Sequence, residues 1–230
     1  MAKVRTKWVC QNCGYETASY LGRCPDCGNF STFVEEITQA KVEIKTNSPA
    51  NAVVSSNLTY SKIDEIKLDE TIRIKSKIEE LDRVLGGGFV EGSLVLLAGD
   101  PGIGKSTLVL QAAKAIGDDG KKILYICAEE SPSQVKLRAQ RLNANSDNLY
   151  VTAQNCLEEI LKQIDELKPD FLIVDSIQSV FSAQITSSSG TVSQIRECTN
   201  LLMRIAKTKN VTTIVIGHVT KEGNIAGPKV

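Results

Sequence analysis

The second half of the chain alternates short apolar runs with longer stretches of helical period. Ser93 to Ala98 (SLVLLA), Lys122 to Cys127, 149–152, Phe171 to Asp175 and Val211 to Ile216 are near-continuous apolar runs. They predict strands at about 94–98, 122–127, 149–152, 171–175 and 211–216. Between them the apolar positions recur at helical spacing, predicting helices at about 105–117, 132–142, 156–167 and 192–208, the third closing at Lys168-Pro169. Strands apolar on both faces, alternating with helices, predict an α/β unit with a mostly parallel sheet covered on both sides.

Upstream the pattern weakens. Ser76-Lys77-Ile78-Glu79 has the spacing of a capping box, and Ile78, Leu81, Val84 and Leu85 form a helical stripe that Gly86-Gly87-Gly88 ends. Ile72-Arg73-Ile74 alternates as a short edge strand does. Residues 37–70 are polar and turn-rich (Thr46-Asn47-Ser48-Pro49, Ser55-Ser56-Asn57) and read as a linker or loosely attached arm. Residues 1–36 form a separate small unit, leaving 71–230 as the main domain.

Composition narrows the setting. The 230 residues carry 27 basic and 27 acidic side chains, so any nucleic-acid contact must come from local patches. No apolar run follows the basic N-terminus, and none approaches the ~20 residues of a membrane helix. We expect a cytoplasmic protein without a membrane segment. Its reducing surroundings favour metal ligation over disulfides for paired cysteines.

Gly99-Asp100-Pro101-Gly102-Ile103-Gly104-Lys105-Ser106, followed by Thr107, fits G-x-x-x-x-G-K-[ST] between a predicted strand and a predicted helix. The glycines let backbone N–H groups turn inward around an anion, and the helix N-terminus adds partial positive charge. The motif assigns Lys105 to the β- and γ-phosphates of a nucleotide, Ser106 to Mg²⁺ and Thr107 to the α-phosphate. Asp175 ends an apolar strand, where ligands of α/β sheets bind, and is expected to hold Mg²⁺ through water. Glu129 and Glu130 follow strand 122–127. Both are candidates to orient water against the γ-phosphate, with Glu129 preferred and one of the two expected to be a solvated helix-start acid. His218, the only histidine, and Lys221 follow the last strand at the same edge. Phe181–Thr191 and 223–227 leave the carboxyl ends of their strands and read either as mobile loops that contact a polymer or as ordinary connections.

Seven cysteines fall in two groups. Cys10-Gln11-Asn12-Cys13-Gly14 and Cys24-Pro25-Asp26-Cys27-Gly28 are two similar knuckles whose four thiolates suit Zn²⁺. So short a segment needs the metal in order to fold. Trp8, Tyr15, Tyr20 and Phe30 beside Lys7 and Arg23 either pack around the metal, which we favour, or stack on nucleobases. Cys127, Cys156 and Cys198 read as small buried apolar residues.

These motifs, with Glu80-Leu81-Asp82-Arg83-Val84-Leu85-Gly86-Gly87-Gly88 and Gly217-His218-Val219-Thr220-Lys221-Glu222-Gly223, resemble the RadA (Sms) family, bacterial DNA-repair relatives of RecA. The resemblance spans nearly the whole chain. It implies a RecA-like P-loop ATPase core preceded by a rubredoxin-like zinc module, with ATP, Mg²⁺ and Zn²⁺ as cofactors. It further implies a DNA-dependent ATPase that binds single-stranded DNA, branch-migrates recombination intermediates, works with RecA and assembles as a homo-hexamer. Lys105, Glu129 and His218 then match catalytic positions, His218 as a γ-phosphate sensor, and the loops at 181–191 and 221–227 match DNA-facing loops. Family members continue through a Lys-Asn-Arg-Phe-Gly motif to a Lon-protease-like domain, so these residues are expected to be an N-terminal half. Two other readings remain: a KaiC-like regulatory ATPase without DNA coupling, and a zinc-ribbon adaptor that binds nucleotide without turnover.

Overall fold

A computed structural model describes residues 5–38, 62 and 73–218. Most of the 37–70 linker lies outside the described residues, as do Lys221 and the 223–227 loop.

The N-terminal unit is a three-stranded antiparallel sheet, β1 (Arg5–Cys10), β2 (Glu16–Thr17) and β3 (Phe33–Thr38), with β1 central. The larger unit begins with β4 (Arg73–Ile74), which pairs antiparallel with β5 (Phe89–Val90) around the short helix α1 (Glu79–Val84). The main elements follow in alternation: β6 (Leu94–Gly99), α2 (Lys105–Asp118), β7 (Ile123–Cys127), α3 (Pro132–Arg141), β8 (Leu149–Thr152), α4 (Leu157–Leu167), β9 (Phe171–Asp175), α5 (Val192–Lys209) and β10 (Thr212–His218). The five main strands are parallel in the order β6-β10-β9-β7-β8.

Strand alternation explains the continuous apolar runs. Ile123, Tyr125 and Cys127 of β7 and Phe171 and Ile173 of β9 face Val109, Leu110 and Ile116 of α2 and Val135 of α3. Leu124, Ile126, Leu172 and Val174 face the opposite way, onto Leu157, Ile160 and Ile164 of α4 and Ile195, Cys198 and Leu202 of α5. β7 and β9 are buried on both sides, as the apolar pattern predicts, whereas β6 and β8 at the sheet edges leave Leu96 and Tyr150 exposed. Burial of each such side chain contributes about 1.5–3 kcal/mol.

Local signals set the helix ends. Ser131 caps α3 in a complete capping box with Gln134, and Pro132 stands at the first helical position. Lys168 ends α4 in a left-handed conformation before Pro169.

Three sequence expectations change. No capping box forms at Ser76: α1 starts at Glu79 with Ile78 as its N-cap. The Ser76 N–H and hydroxyl instead donate to Asp82 Oδ1, at 2.9 and 2.7 Å. This carboxylate lies within reach of both Ser76 donors and takes the place expected of Glu79. Cys156 is half-buried at the N-cap of α4, with its thiol donating to Glu158 at 3.2 Å, whereas Cys127 and Cys198 are buried as expected. The last strand runs two residues further than its apolar pattern, so His218 belongs to β10.

Candidate nucleotide site and metal centre

The carboxyl ends of β6, β10, β9 and β7 collect the chemically equipped residues. Between β6 and α2, Gly102 and Gly104 have φ of +82° and +98°, the left-handed region that glycine enters without strain. A Cβ at either would meet nothing within 4 Å. The requirement is therefore conformational, and the space before the loop stays open for a ligand. The first turn of α2 holds no acidic residue, so its N-terminal dipole is uncompensated by the helix's own side chains. Ser106 and Thr107 lie in that turn. Lys105 is 92 % buried, and its Nζ donates to the carbonyls of Gly99 (2.7 Å) and Asp100 (2.8 Å). The ammonium is thus already desolvated and held by the loop whose ligand it is expected to meet.

Asp175 ends β9 in register with Cys127 of β7. Its Oδ2 accepts a 2.5 Å hydrogen bond from the hydroxyl of Tyr125, whose side chain is fully buried. Burial, then the charge and hydrogen bond of Asp175, push the phenol well above its usual pKa, so Tyr125 stays a donor at any working pH.

Just past β7, Glu129 Oε1 accepts from Ser176 Oγ, from Ser179 Oγ at 3.3 Å, and meets His218 Nε2 at 3.3 Å. All three contacts fall on one oxygen; Oε2 makes no hydrogen bond to the described residues. His218 ends β10 opposite Gly99 of β6 and so connects the start of the phosphate loop to Glu129. Its Nδ1 is buried without a hydrogen-bond partner. Glu130, half-buried, pairs with the half-buried Arg138 of α3. The two adjacent acids are thereby separated: Glu130 bound to α3, Glu129 to the ends of β9 and β10.

The segment after β9 is more firmly built than its Ser-rich composition suggests. It makes a single 3-10 turn (Ile177–Ser179), and Phe181 then bridges to Cys156. Gln194 of α5, buried, accepts from the Ser182 N–H at 2.8 Å. It donates to the carbonyls of Ser182, Ile185 and Ser187 at 3.1, 3.2 and 2.8 Å. Glu158 of α4 accepts from the Ser182 hydroxyl at 2.6 Å and the Ala183 N–H at 3.1 Å. Burial opposes its ionisation, but these bonds outweigh it and hold the carboxyl below the usual carboxylate pKa.

In the N-terminal unit, Cys10, Cys13, Cys24 and Cys27 bring their sulfurs within 4.8 Å of one another. The Cys10–Cys27 and Cys13–Cys24 separations are 3.7 and 3.4 Å, far longer than a disulfide. Four sulfurs at about 2.3 Å from a tetrahedral Zn²⁺ lie about 3.8 Å apart, so the donor set fits that ion. Gly14 and Gly28, at φ of +77° and +73°, close the two knuckles with N–H bonds to the carbonyls of Cys10 and Cys24. Burial raises the Cys10 thiol, but the Thr32 hydroxyl and the N–H groups of Cys13 and Asn12 outweigh it and bring the pKa down to about 6. Asn12 and the Asn29 N–H lower Cys27. Cys13 moves the other way, first by burial, and hydrogen bonding to the neighbouring sulfurs adds to it. Four thiolates this close repel one another, and a divalent cation removes the conflict.

The aromatic residues divide. Phe33 is buried against the cysteines, and Trp8 packs edge-on to Tyr20 at 5.1 Å. Phe30 is exposed, with the Arg23 guanidinium 5.3 Å above its ring. Packing around the metal therefore accounts for only part of the set.

Comparison with known proteins agrees with this architecture. The profile described as AAA domain matches residues 61–224, and the one described as rubredoxin metal binding domain matches residues 8–35. The chain belongs to the AAA-domain family, with a RecA-like P-loop α/β core behind a four-cysteine zinc ribbon. Its likeness to RadA, read from the motifs, extends along the whole chain. It is 48% identical over 229 residues to the DNA repair protein RadA of Bacillus subtilis (strain 168), covering 100% of this chain and 50% of that protein. To the RadA of Listeria monocytogenes it is 49% identical over 228 residues, 99% of this chain and 49% of that one. To the RadA of Campylobacter jejuni it is 47% identical over 231 residues, 100% and 51%. The chain spans about half the length of the curated relatives it matches. Among the described residues no helix is long and apolar enough to cross a membrane.

Sequence reasoning missed Tyr125, Ser176, Ser179, Glu158 and Gln194. Ser176 and Ser179 had a signal, a polar run directly after a carboxylate-ending strand. Tyr125 had none, because an aromatic residue inside an apolar run reads as core.

Proposed function

We propose that the chain is the ATP-hydrolysing half of a DNA-dependent ATPase of recombinational DNA repair. Residues 1–36 are its zinc module, 37–70 its linker and 71–230 its motor core. The observation that supports turnover best is the placement of Glu129. One of its oxygens is fixed by Ser176, Ser179 and His218, and the other makes no hydrogen bond to the described residues.

In this reading Lys105 exchanges its two loop carbonyls for β- and γ-phosphate oxygens and offsets the charge of the transition state. The N–H groups of the loop bind the phosphates, and Thr107 contacts the α-phosphate. Ser106 and Asp175 would hold the Mg²⁺ that accompanies ATP, and that ion would supply positive charge against the phosphates. Glu129 orients the attacking water and accepts its proton, and His218 senses the γ-phosphate from the strand between the loop and Glu129.

The chain's likeness to proteins named for DNA repair supports the DNA-repair role. Single-stranded DNA, branched recombination intermediates and RecA are the proposed partners, in a homo-hexamer, with residues 181–191 and 221–227 facing DNA. The test is ATP turnover by this chain with and without single-stranded DNA, beside Lys105→Ala. Stimulation above the blank is expected, weakening with salt. Turnover that DNA leaves unchanged favours a regulatory ATPase. Nucleotide binding without turnover favours an adaptor.

A further inference from the structure

Asp175 is a buried-strand carboxylate whose two oxygens are treated differently. Oδ2 accepts from the Tyr125 hydroxyl at 2.5 Å, while Oδ1 makes no hydrogen bond to the described residues. The arrangement follows from the sheet. Cys127 pairs with Asp175 across β7 and β9, and Tyr125 precedes Cys127 by two residues, so it projects from the same face, toward α2. It is two residue pairs below Asp175, the next position down on that face, and its length carries the hydroxyl from there to the strand end.

Tyr125 is otherwise surrounded as a core residue. Its side chain is fully buried and it packs in the apolar cluster with Ile173 and α2. A phenylalanine would fill the same volume. The hydroxyl therefore adds little to packing, and its one protein partner is the carboxylate. A hydrogen bond of this kind orients a metal-binding carboxylate and leaves one oxygen for the metal's side.

We infer that Tyr125 is the positioning residue for Asp175, locking its carboxylate so that Oδ1 is presented to the Mg²⁺ of bound nucleotide. This rests on the proposed reading of Asp175 as the Mg²⁺-side carboxylate, which the experiment tests separately.

The affinity of the 230-residue chain for ATP is measured by calorimetry, first in EDTA and then across a Mg²⁺ titration. The proteins are the wild type, Tyr125→Phe and Asp175→Asn. The wild type is expected to bind more tightly as Mg²⁺ rises, and Asp175→Asn to lose most of that gain. Tyr125→Phe is expected to match the wild type in EDTA, which shows the fold and the phosphate loop intact, and to need roughly tenfold more Mg²⁺ to reach half of the gain. If Asp175→Asn keeps the full gain, or the wild type shows none, the reading of Asp175 fails and this inference fails with it. If Asp175→Asn loses the gain but Tyr125→Phe titrates like the wild type, the inference alone is overturned. Weaker binding of Tyr125→Phe in EDTA with an unmoved Mg²⁺ midpoint also overturns it, because the hydroxyl would then matter only to the fold.

Discussion

Glu129 Oε1 lies 3.3 Å from His218 Nε2, across 89 residues of chain, and His218 is itself the sheet partner of Gly99 at the start of the phosphate loop. The first residue of the phosphate loop and the acid are thereby joined through one strand end. Glu129→Gln is expected to lower turnover by about 10²–10⁴-fold while ATP affinity stays close to that of the wild type. His218→Ala should lower kcat less, by about tenfold, with little change in KM. Steady-state kinetics of the two variants separates these outcomes, and a KM effect alone at His218 would contradict the arrangement.

Ser176 is fully buried, and its hydroxyl donates to the same carboxylate oxygen. Ser176→Ala leaves that oxygen with two contacts. It should cost about 1–2 kcal/mol of stability by denaturant titration. Turnover should fall with it, because Glu129 then has more than one orientation.

In the proposed reading Lys105 is the binding handle of the loop. Saturating ATP at about 100 times its Kd should stabilise the wild type by about 2.7 kcal/mol. Lys105→Ala should abolish this stabilisation in a thermal-shift measurement.

Trp8 is the only tryptophan of the chain and packs on Tyr20 inside the zinc module. Its fluorescence therefore reports on that module alone. A chelator should shift Trp8 emission toward that of a solvent-exposed indole and release one zinc per chain. The thermal transition of the α/β core should persist, because its two apolar clusters contain no cysteine ligand. Acidification should release the metal as well, since protons compete for the sulfurs.

Gln194 and Glu158 hold residues 182–187. Gln194→Ala leaves several buried backbone groups unpaired and should cost about 2–4 kcal/mol. Amide exchange should rise first at Ser182. The Glu158 contribution has a definite sign with pH. Its folded pKa lies below the ordinary carboxylate value, so its stabilisation is present above the unfolded pKa and lost as pH falls through the folded one. Exchange in this segment should therefore rise on acidification below about pH 4.5, and Glu158→Gln should flatten that dependence.

Much of this was legible in the residues. Apolar runs broken by helical periodicity dictate strands buried on both faces, and the main elements appear within about two residues of their sequence bounds. The phosphate loop and the cysteine knuckles were readable because their chemistry requires close spacing along the chain: glycines where φ turns positive, two thiolates per turn. What only the tertiary structure decided lies between strands distant in sequence. The order β6-β10-β9-β7-β8 set His218 between Gly99 and Glu129 and brought Tyr125 under Asp175. Sequence spacing fixes which way a side chain points along its own strand, but strand order and register choose its neighbours. Polar contacts such as Ser76 with Asp82 or Gln194 with Ser182 depend on angstrom-scale geometry that follows only once the core has packed.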